Sequence, residues 1–351
     1  MSRKSYRQAI NEAIREEMRR DATVILVGED VAGGEGGSGA VDAWGGAMAI
    51  TKGLVGEFGK DRVIDTPISE SAILGMCAGA AATGLRPIFD LSFLDFFGVC
   101  FDQIVNQIAK FRYMFGGKSR TPLVVRAMFG AGYRAGAQHS QCLYPILTHI
   151  PGLKVVIPSS PYDVKGMLIQ AIRDDDPVFF LEHKTFYDMK AEVPDESYTI
   201  PFGQANILCE GKDVTLVAVG KMVHVASQAA ANLKKAGVDA TVIDLRTTSP
   251  LDEDAIVRSV EATGRLVVVD EASPRCGLAS DIAAIVGERA FTALRAPVRR
   301  ITPPHTPVPF APVLEDAYIP SAAKVEAAVQ ELMAFGTAPR SAQARQVSST
   351  N

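Results

Sequence analysis

The chain has 351 residues, too many for one typical core and suited to two domains. Hydrophobic residues make up 47% and charged residues 22%, and the formal net charge is −4, so no basic excess draws the chain to nucleic acid or to anionic lipid. Five widely separated cysteines, Cys77, Cys100, Cys142, Cys209 and Cys276, exclude a paired zinc or redox spacing and predict reduced, mostly buried thiols. The longest uncharged run, 71–85, is too short and glycine-rich to span a membrane, and residues 1–20 lack an apolar signal core. A cytoplasmic protein is the expectation.

In chain order, residues 5–20 read as an amphipathic helix and 23–27 as an apolar strand ending in Gly28-Glu29-Asp30. Gly34-Glu35-Gly36-Gly37-Ser38-Gly39 formally matches the dinucleotide fingerprint. That fingerprint needs its first glycine directly after the strand and a helix opening at its last. Here the strand stops several residues earlier, more loop follows, and Glu29, Asp30 and Glu35 would repel phosphate. A nicotinamide-dependent oxidoreductase is therefore a remote alternative.

Val63 and Ile64 form a short strand stopped by Thr66-Pro67, and Ser69 is placed to cap a helix running through Ile73, Leu74 and Met76. Glu70 thus stands at a strand-to-helix turn. An acid in a first helical turn is favoured by the dipole in any protein, so the turn alone assigns no function. Further strands are expected at 86–91, 121–128, 153–157 and 178–181. Between them, Phe101, Ile104, Val105, Ile108 and Phe111 mark one face of a helix, a glycine-rich loop at 129–138 delivers His139, and Ser159 or Ser160 caps a helix ending near Arg173.

Alternating strands and helices of these lengths predict an α/β domain with a parallel sheet over residues 1–186. Residues 187–203, with Pro194, Pro201 and several acids, have no clear period and read as a linker. A second, smaller α/β domain over 204–335 repeats the logic, with strands at 214–219, 240–243, 266–269 and 298–301 and helices at 224–236, 253–262, 277–291 and 321–333. The polar tail 336–351 is expected to be disordered.

In a parallel sheet, Glu29, Glu70, the group Asp90-Leu91-Ser92-Phe93 and the loop carrying His139 all fall at one edge. Carboxylates, an imidazole and aromatics in one crevice suit proton transfer to a heterocycle or a carbonyl substrate. No phosphate-binding P-loop, no nucleophile elbow and no metal-ligand spacing occurs in the sequence.

Several longer phrases carry a resemblance: DTPISE (65–70), GLRPIFDLSF (84–93), FDQIVNQIAKFRYMFGGK (101–118), AQHSQ (137–141), PGLKVVIPSSPYDVKG (151–166) and HTPVPFAPVLEDAYIP (305–320). Together they resemble the β subunit of thiamine-diphosphate-dependent 2-oxoacid dehydrogenases, and FRYMFGGK with RDDDPVFFLEHKTFYD (173–188) resembles acetoin dehydrogenase β subunits most. The resemblance implies a transketolase-like fold, two doubly wound α/β domains with mainly parallel sheets: a pyrimidine-binding domain, then a transketolase C-terminal domain.

It also implies roles. Glu70 matches the glutamate that hydrogen-bonds the cofactor's aminopyrimidine nitrogen and promotes the imino tautomer that deprotonates the thiazolium carbon. Glu29 matches an acid relaying protons between paired sites, Phe96 an aromatic packing on the pyrimidine, and His139 a channel histidine acting in acyl transfer to lipoamide. Leu123, Ala171, Asp174 and Asp176 fall where some relatives hold potassium. No GDG metal motif occurs, so the diphosphate and its magnesium are expected on an α subunit, in an assembly of two α and two β chains docked on a dihydrolipoyl acetyltransferase core. The expected activity is oxidative cleavage of acetoin; the alternative is pyruvate or branched-chain 2-oxoacid dehydrogenase. The loop 32–46, with Glu35, Ser38 and Trp44, departs from close relatives.

Overall fold

The computed structural model describes residues 1–33 and 45–336. The glycine run 34–39, Glu35, Ser38, Trp44 and the tail from 337 onward lie outside the described residues. Among the described residues no helix is long and apolar enough to cross a membrane.

The strands are β1 (Ser2–Ser5), β2 (Val24–Gly28), β3 (Val63–Asp65), β4 (Arg86–Phe93), β5 (Val124–Phe129), β6 (Lys154–Val156), β7 (Val178–His183), β8 (Lys190–Val193), β9 (Asn206–Cys209), β10 (Val214–Ala218), β11 (Ala240–Asp244), β12 (Thr247–Ser249), β13 (Leu266–Val269) and β14 (Arg299–Ile301). The chain divides into two compact units. The first holds Met1–Gln204, Arg246–Leu251 and Pro307–Asp316; the second holds Ala205–Leu245, Asp252–Thr306 and the rest from Ala317.

The first unit is built on a seven-stranded sheet in the order β12-β6-β7-β5-β4-β2-β3. All its pairs are parallel except β12 with β6. Strands β2, β5 and β7 are buried at every residue, β2 as a continuous apolar run, β5 and β7 with Arg126, Glu182 and His183 buried among their apolar residues. Helix Tyr6–Arg20 begins with a capping box between Ser5 and Gln8 and packs its apolar stripe, Ile10, Ile14 and Met18, into the same core as Val164, Leu168 and Ile172 of helix Pro161–Arg173. The second unit has a five-stranded sheet, β14-β13-β10-β11-β9, parallel except for β9 on β11. Its core joins Val214, Leu216, Val242 and Val267 to Met222, Ala226 and Leu233 of helix Lys221–Lys235.

Four expectations need correction. The segment 187–203 is no plain linker: β8 pairs antiparallel with β1, Ser2 facing Val193, and Tyr187 and Ile200 are buried in the core. A ribbon whose two strands are nearly the whole first unit apart leaves no local period. The helix expected over 101–111 is a π-helical stretch, Gln103–Ile108, then a short helix Phe111–Met114; Ile104 and Ile108 are buried but Phe101 is exposed. Ser69 stands at the N-cap of helix Glu70–Ala82, yet its side chain makes no capping bond. Of the cysteines, only Cys77 and Cys100 are buried, and burial pushes both thiols up to about 12; Cys209 and Cys276 are exposed.

Candidate active site

The chain order of the central strands creates the site. From β2 the sequence moves to β3 on one side and then to β4 on the other, so the connections diverge and leave a crevice beyond the carboxyl end of β2. The first residue past that end is Glu29. Gly28 makes the approach possible: it pairs with Asp90 of β4, and a Cβ at Gly28 would lie 2.8 Å from that of Asp90. The turn after β3 closes onto the same point, the Thr66 N–H donating to the Gly28 carbonyl at 3.0 Å. Four residues later Glu70 opens its helix.

Glu29, Glu70, Thr66, Ile73, Asp90 and Ser92 line one pocket, with no Lys, Arg or His among its described lining residues. Burial pushes the Glu29 carboxyl above its ordinary range, and the charges of Asp30 and Glu70 add to the rise. Like charges in one crevice favour retention of a proton, so Glu29 keeps its proton to higher pH than a free glutamate does. Asp90 forms the floor. One of its oxygens accepts the N–H of Ser92, held at a left-handed φ of 61°, at 3.0 Å; the other accepts from Arg126 at 3.0 Å.

Behind the floor, Arg126 is 2% exposed and donates to Glu182 through two nitrogens at 2.7 and 2.8 Å, and the Tyr187 hydroxyl donates to Glu182 at 3.0 Å. Burial alone would lower the guanidinium's basicity, but Glu182 and Asp90 outweigh it and raise it instead. Burial raises Glu182, with Arg126 opposing. The network fixes the end of β4 from behind.

Ser92 leads to Phe93, which carries the second half of the site. The His139 ring meets Phe93 edge-on at 4.7 Å and Phe96 edge-on at 5.4 Å between centroids. Its backbone is held too. The Lys184 ammonium, itself 5.5 Å above the Phe93 ring, donates to the His139 carbonyl, and Asp95 accepts from the backbone and side chain of Gln141 at 3.2 and 2.8 Å. Burial pushes the Asp95 carboxyl up, partly countered by Gln141.

Glu29 and Glu70 are therefore brought into one pocket, Phe96 and His139 into a ring cluster, and Ser92-Phe93 joins the two. Leu123, Ala171, Asp174 and Asp176 lie at the opposite edge, where β5 and β7 begin. The Leu123 carbonyl accepts from Val178 N–H at 2.9 Å and the Ala171 carbonyl from Asp174 N–H at 3.3 Å. The Asp174 carboxylate accepts from the Lys154 ammonium at 2.7 and 2.8 Å, and Asp176 pairs with Arg112. Among the described residues no cluster of three or more His, Cys, Asp or Glu is placed to hold a metal ion. Sequence reasoning missed Arg126, Glu182, Asp95 and Lys184, whose roles come from pairings across strands and loops that no local spacing encodes.

Two α/β units with an acidic pocket at the strand ends of the first define a transketolase-type protein, and the domain families agree: transketolase, pyrimidine binding domain, matches residues 2–190, and transketolase, C-terminal domain, matches 203–325. The chain is 62% identical to the acetoin:2,6-dichlorophenolindophenol oxidoreductase subunit beta of Cupriavidus necator, over 96% of this chain and 99% of that one. It is 58% identical to the Bacillus subtilis protein of the same description, over 94% and 97%, and 41% identical to the pyruvate dehydrogenase E1 component subunit beta of that organism, over 95% and 100%. The fold also matches a solved split gene transketolase, described as an inactive beta4 tetramer, with a TM-score of 0.74 and 24% identity over 94% of this chain and 98% of that one. The chain belongs to the transketolase-like β subunits of acetoin and 2-oxoacid dehydrogenases.

Proposed function

We propose that this chain is the β subunit of a thiamine-diphosphate-dependent dehydrogenase that cleaves acetoin oxidatively and passes the acyl group to lipoamide. The observation that carries it is the pocket shared by Glu29 and Glu70, lined among the described residues by acids, hydroxyl groups and apolar groups without a Lys, Arg or His. Such a lining suits a ring that donates N–H groups and does not suit a diphosphate. The diphosphate and its magnesium therefore belong to an α subunit, with two α and two β chains in the assembly. When bound, thiamine diphosphate supplies the carbon nucleophile that attacks a carbonyl group.

Within this chain, Glu70 holds the aminopyrimidine nitrogen and moves a proton there; an amide could hold but not supply it. Glu29, whose carboxyl is raised by burial and by the charges of Asp30 and Glu70, relays a proton beside Glu70. Phe96 forms the apolar wall on the pyrimidine side, and His139 handles the proton in acyl transfer to the lipoyl arm of a dihydrolipoyl acetyltransferase core. We place the complex in the cytoplasm, which cell fractionation tests.

The test is dye reduction by the chain assembled with its α partner, thiamine diphosphate and magnesium, with acetoin and pyruvate at equal concentration. Preference for acetoin is expected; preference for pyruvate or a branched 2-oxoacid moves the substrate and keeps the mechanism. Absence of cofactor-dependent turnover with any of them refutes the reading. Potassium at Leu123, Ala171, Asp174 and Asp176 is a separate proposal. It rests on the two carbonyls, each with a lone pair left, because Lys154 already neutralises the Asp174 carboxylate. A higher melting temperature in potassium chloride than in choline chloride supports it, and equal values discard it.

A further inference from the structure

The chain returns to the first unit at Pro307–Asp316, and this segment brings one fully buried acid, Glu315. A carboxylate out of water is costly unless its lone pairs are met by donors. Among the described residues its donors all come from one loop: the N–H groups of Gly132 at 2.8 Å and Arg134 at 3.3 Å, and the Arg134 guanidinium at 2.5 Å. The loop turns through positive φ at Gly130 (93°), Gly132 (101°) and Arg134 (57°). That backbone shape forms a concave cup of N–H groups of the kind that binds anions. Here the anion is the chain's own side chain.

The same loop ends at His139. The His139 N–H donates to the Gly136 carbonyl at 3.4 Å, and a Cβ at Gly136 would lie 3.5 Å from the Phe310 ring, so the segment touches the loop at a second place. We infer that Glu315 is a positioning residue for His139: by filling the backbone cup it holds the glycine-rich loop in the one shape that sets the imidazole between Phe93 and Phe96. This rests on the proposed role of His139 in acyl transfer. Without the carboxylate, the left-handed backbone of Arg134, unfavourable for a residue with a Cβ, loses the bonds that offset its strain. The loop then spreads over several conformations and the imidazole leaves its station.

The test uses the holoenzyme assembled with its α partner. In Glu315→Gln the amide turns an N–H₂ group toward N–H donors, so one bond is lost with little change of volume. Two rates are read, acetoin-dependent dye reduction and acyl transfer to a lipoyl domain, together with hydrogen exchange in the peptide spanning 129–141. Acyl transfer is expected to fall about tenfold and dye reduction less than about threefold, with faster exchange in that peptide. Adding Glu315→Gln to His139→Ala is expected to leave acyl transfer no lower than His139→Ala alone.

Equal losses in the two rates, a multiplicative double variant, or unchanged exchange overturns the inference. If Glu315→Gln does not assemble, Arg134→Met keeps the carboxylate and both backbone donors and must show the same pattern at smaller amplitude; failure to do so also overturns it. Faster exchange in the variants of a protein without acetoin or 2-oxoacid turnover would refute the proposed function and leave the clasp itself standing.

Discussion

The two ends of the seven-stranded sheet carry acids in opposite company. Where β4, β5 and β7 begin, Asp174 accepts from Lys154, Asp175 pairs with Arg86 and Arg120, and Asp176 with Arg112. Beyond the ends of β2 and β3, Glu29 and Glu70 share a pocket with no basic residue among its described lining. Paired carboxylates at this partly exposed edge neutralise charge and contribute little singly. Carboxylates crowded together without cations cost stability, and a fold keeps such an arrangement where its chemistry uses the proton. Position at a strand end does not separate the two kinds of acid; the neighbours do.

The sharpest way to break the comparison is Glu70→Gln in the assembled enzyme. Turnover is expected to fall by roughly 10²–10³-fold, measured by dye reduction, because the amide cannot supply the proton. Its melting temperature should stay within about 2 °C, since no cation loses its partner. Arg126→Met tests the boundary between the two classes, where a cation stands directly behind the pocket. It strands the buried Glu182 and the partly buried Asp90 without their guanidinium, and roughly 3–5 kcal/mol of stability should be lost, read by denaturant unfolding. A loss below about 1 kcal/mol would show that the network is dispensable.

At the opposite edge, Asp174→Asn is expected to cost about 1 kcal/mol or less and to leave acetoin turnover within about twofold, seen by thermal scanning and the same dye assay. A large loss of turnover would erase the distinction between the edges. The smallest effect belongs to Glu29→Gln as a stability change. Because the folded protein raises the Glu29 carboxyl above its unfolded value, the stability it contributes is present in acid and is lost as pH rises through the folded pKa. At pH 8 the glutamine variant should therefore melt slightly above the wild type, by about 1–2 °C, and the difference should vanish near pH 4. Melting curves across that range check the sign.

The elements themselves were largely legible because their signals are local. The run Leu266–Val269 is a strand from its first residue to its last, and Ser160 and Ser321 cap the helices they precede through bonds to Asp163 and Lys324. What escaped was non-local. β12 is three residues long and gains its place from β6, far back in the chain, and β1 and β8 define each other. The site divides the same way. Glu29 and Glu70 stand at strand ends that short apolar runs and a stop signal reveal. Arg126 meets Glu182 across 56 residues and Arg134 meets Glu315 across 181, distances over which a single sequence carries no readable pattern.

β12 has a consequence for anyone who would cut this protein. The obvious place to divide the gene, between residues 204 and 205, would leave β6 as an outer strand with its backbone groups bare, an open template for self-association. It would also remove the segment that carries Glu315. Chimeras that swap C-terminal halves between relatives thus transplant a strand of the first unit and the segment that carries Glu315, and a crossover chosen for convenience at the domain boundary changes more than the domain it was meant to exchange.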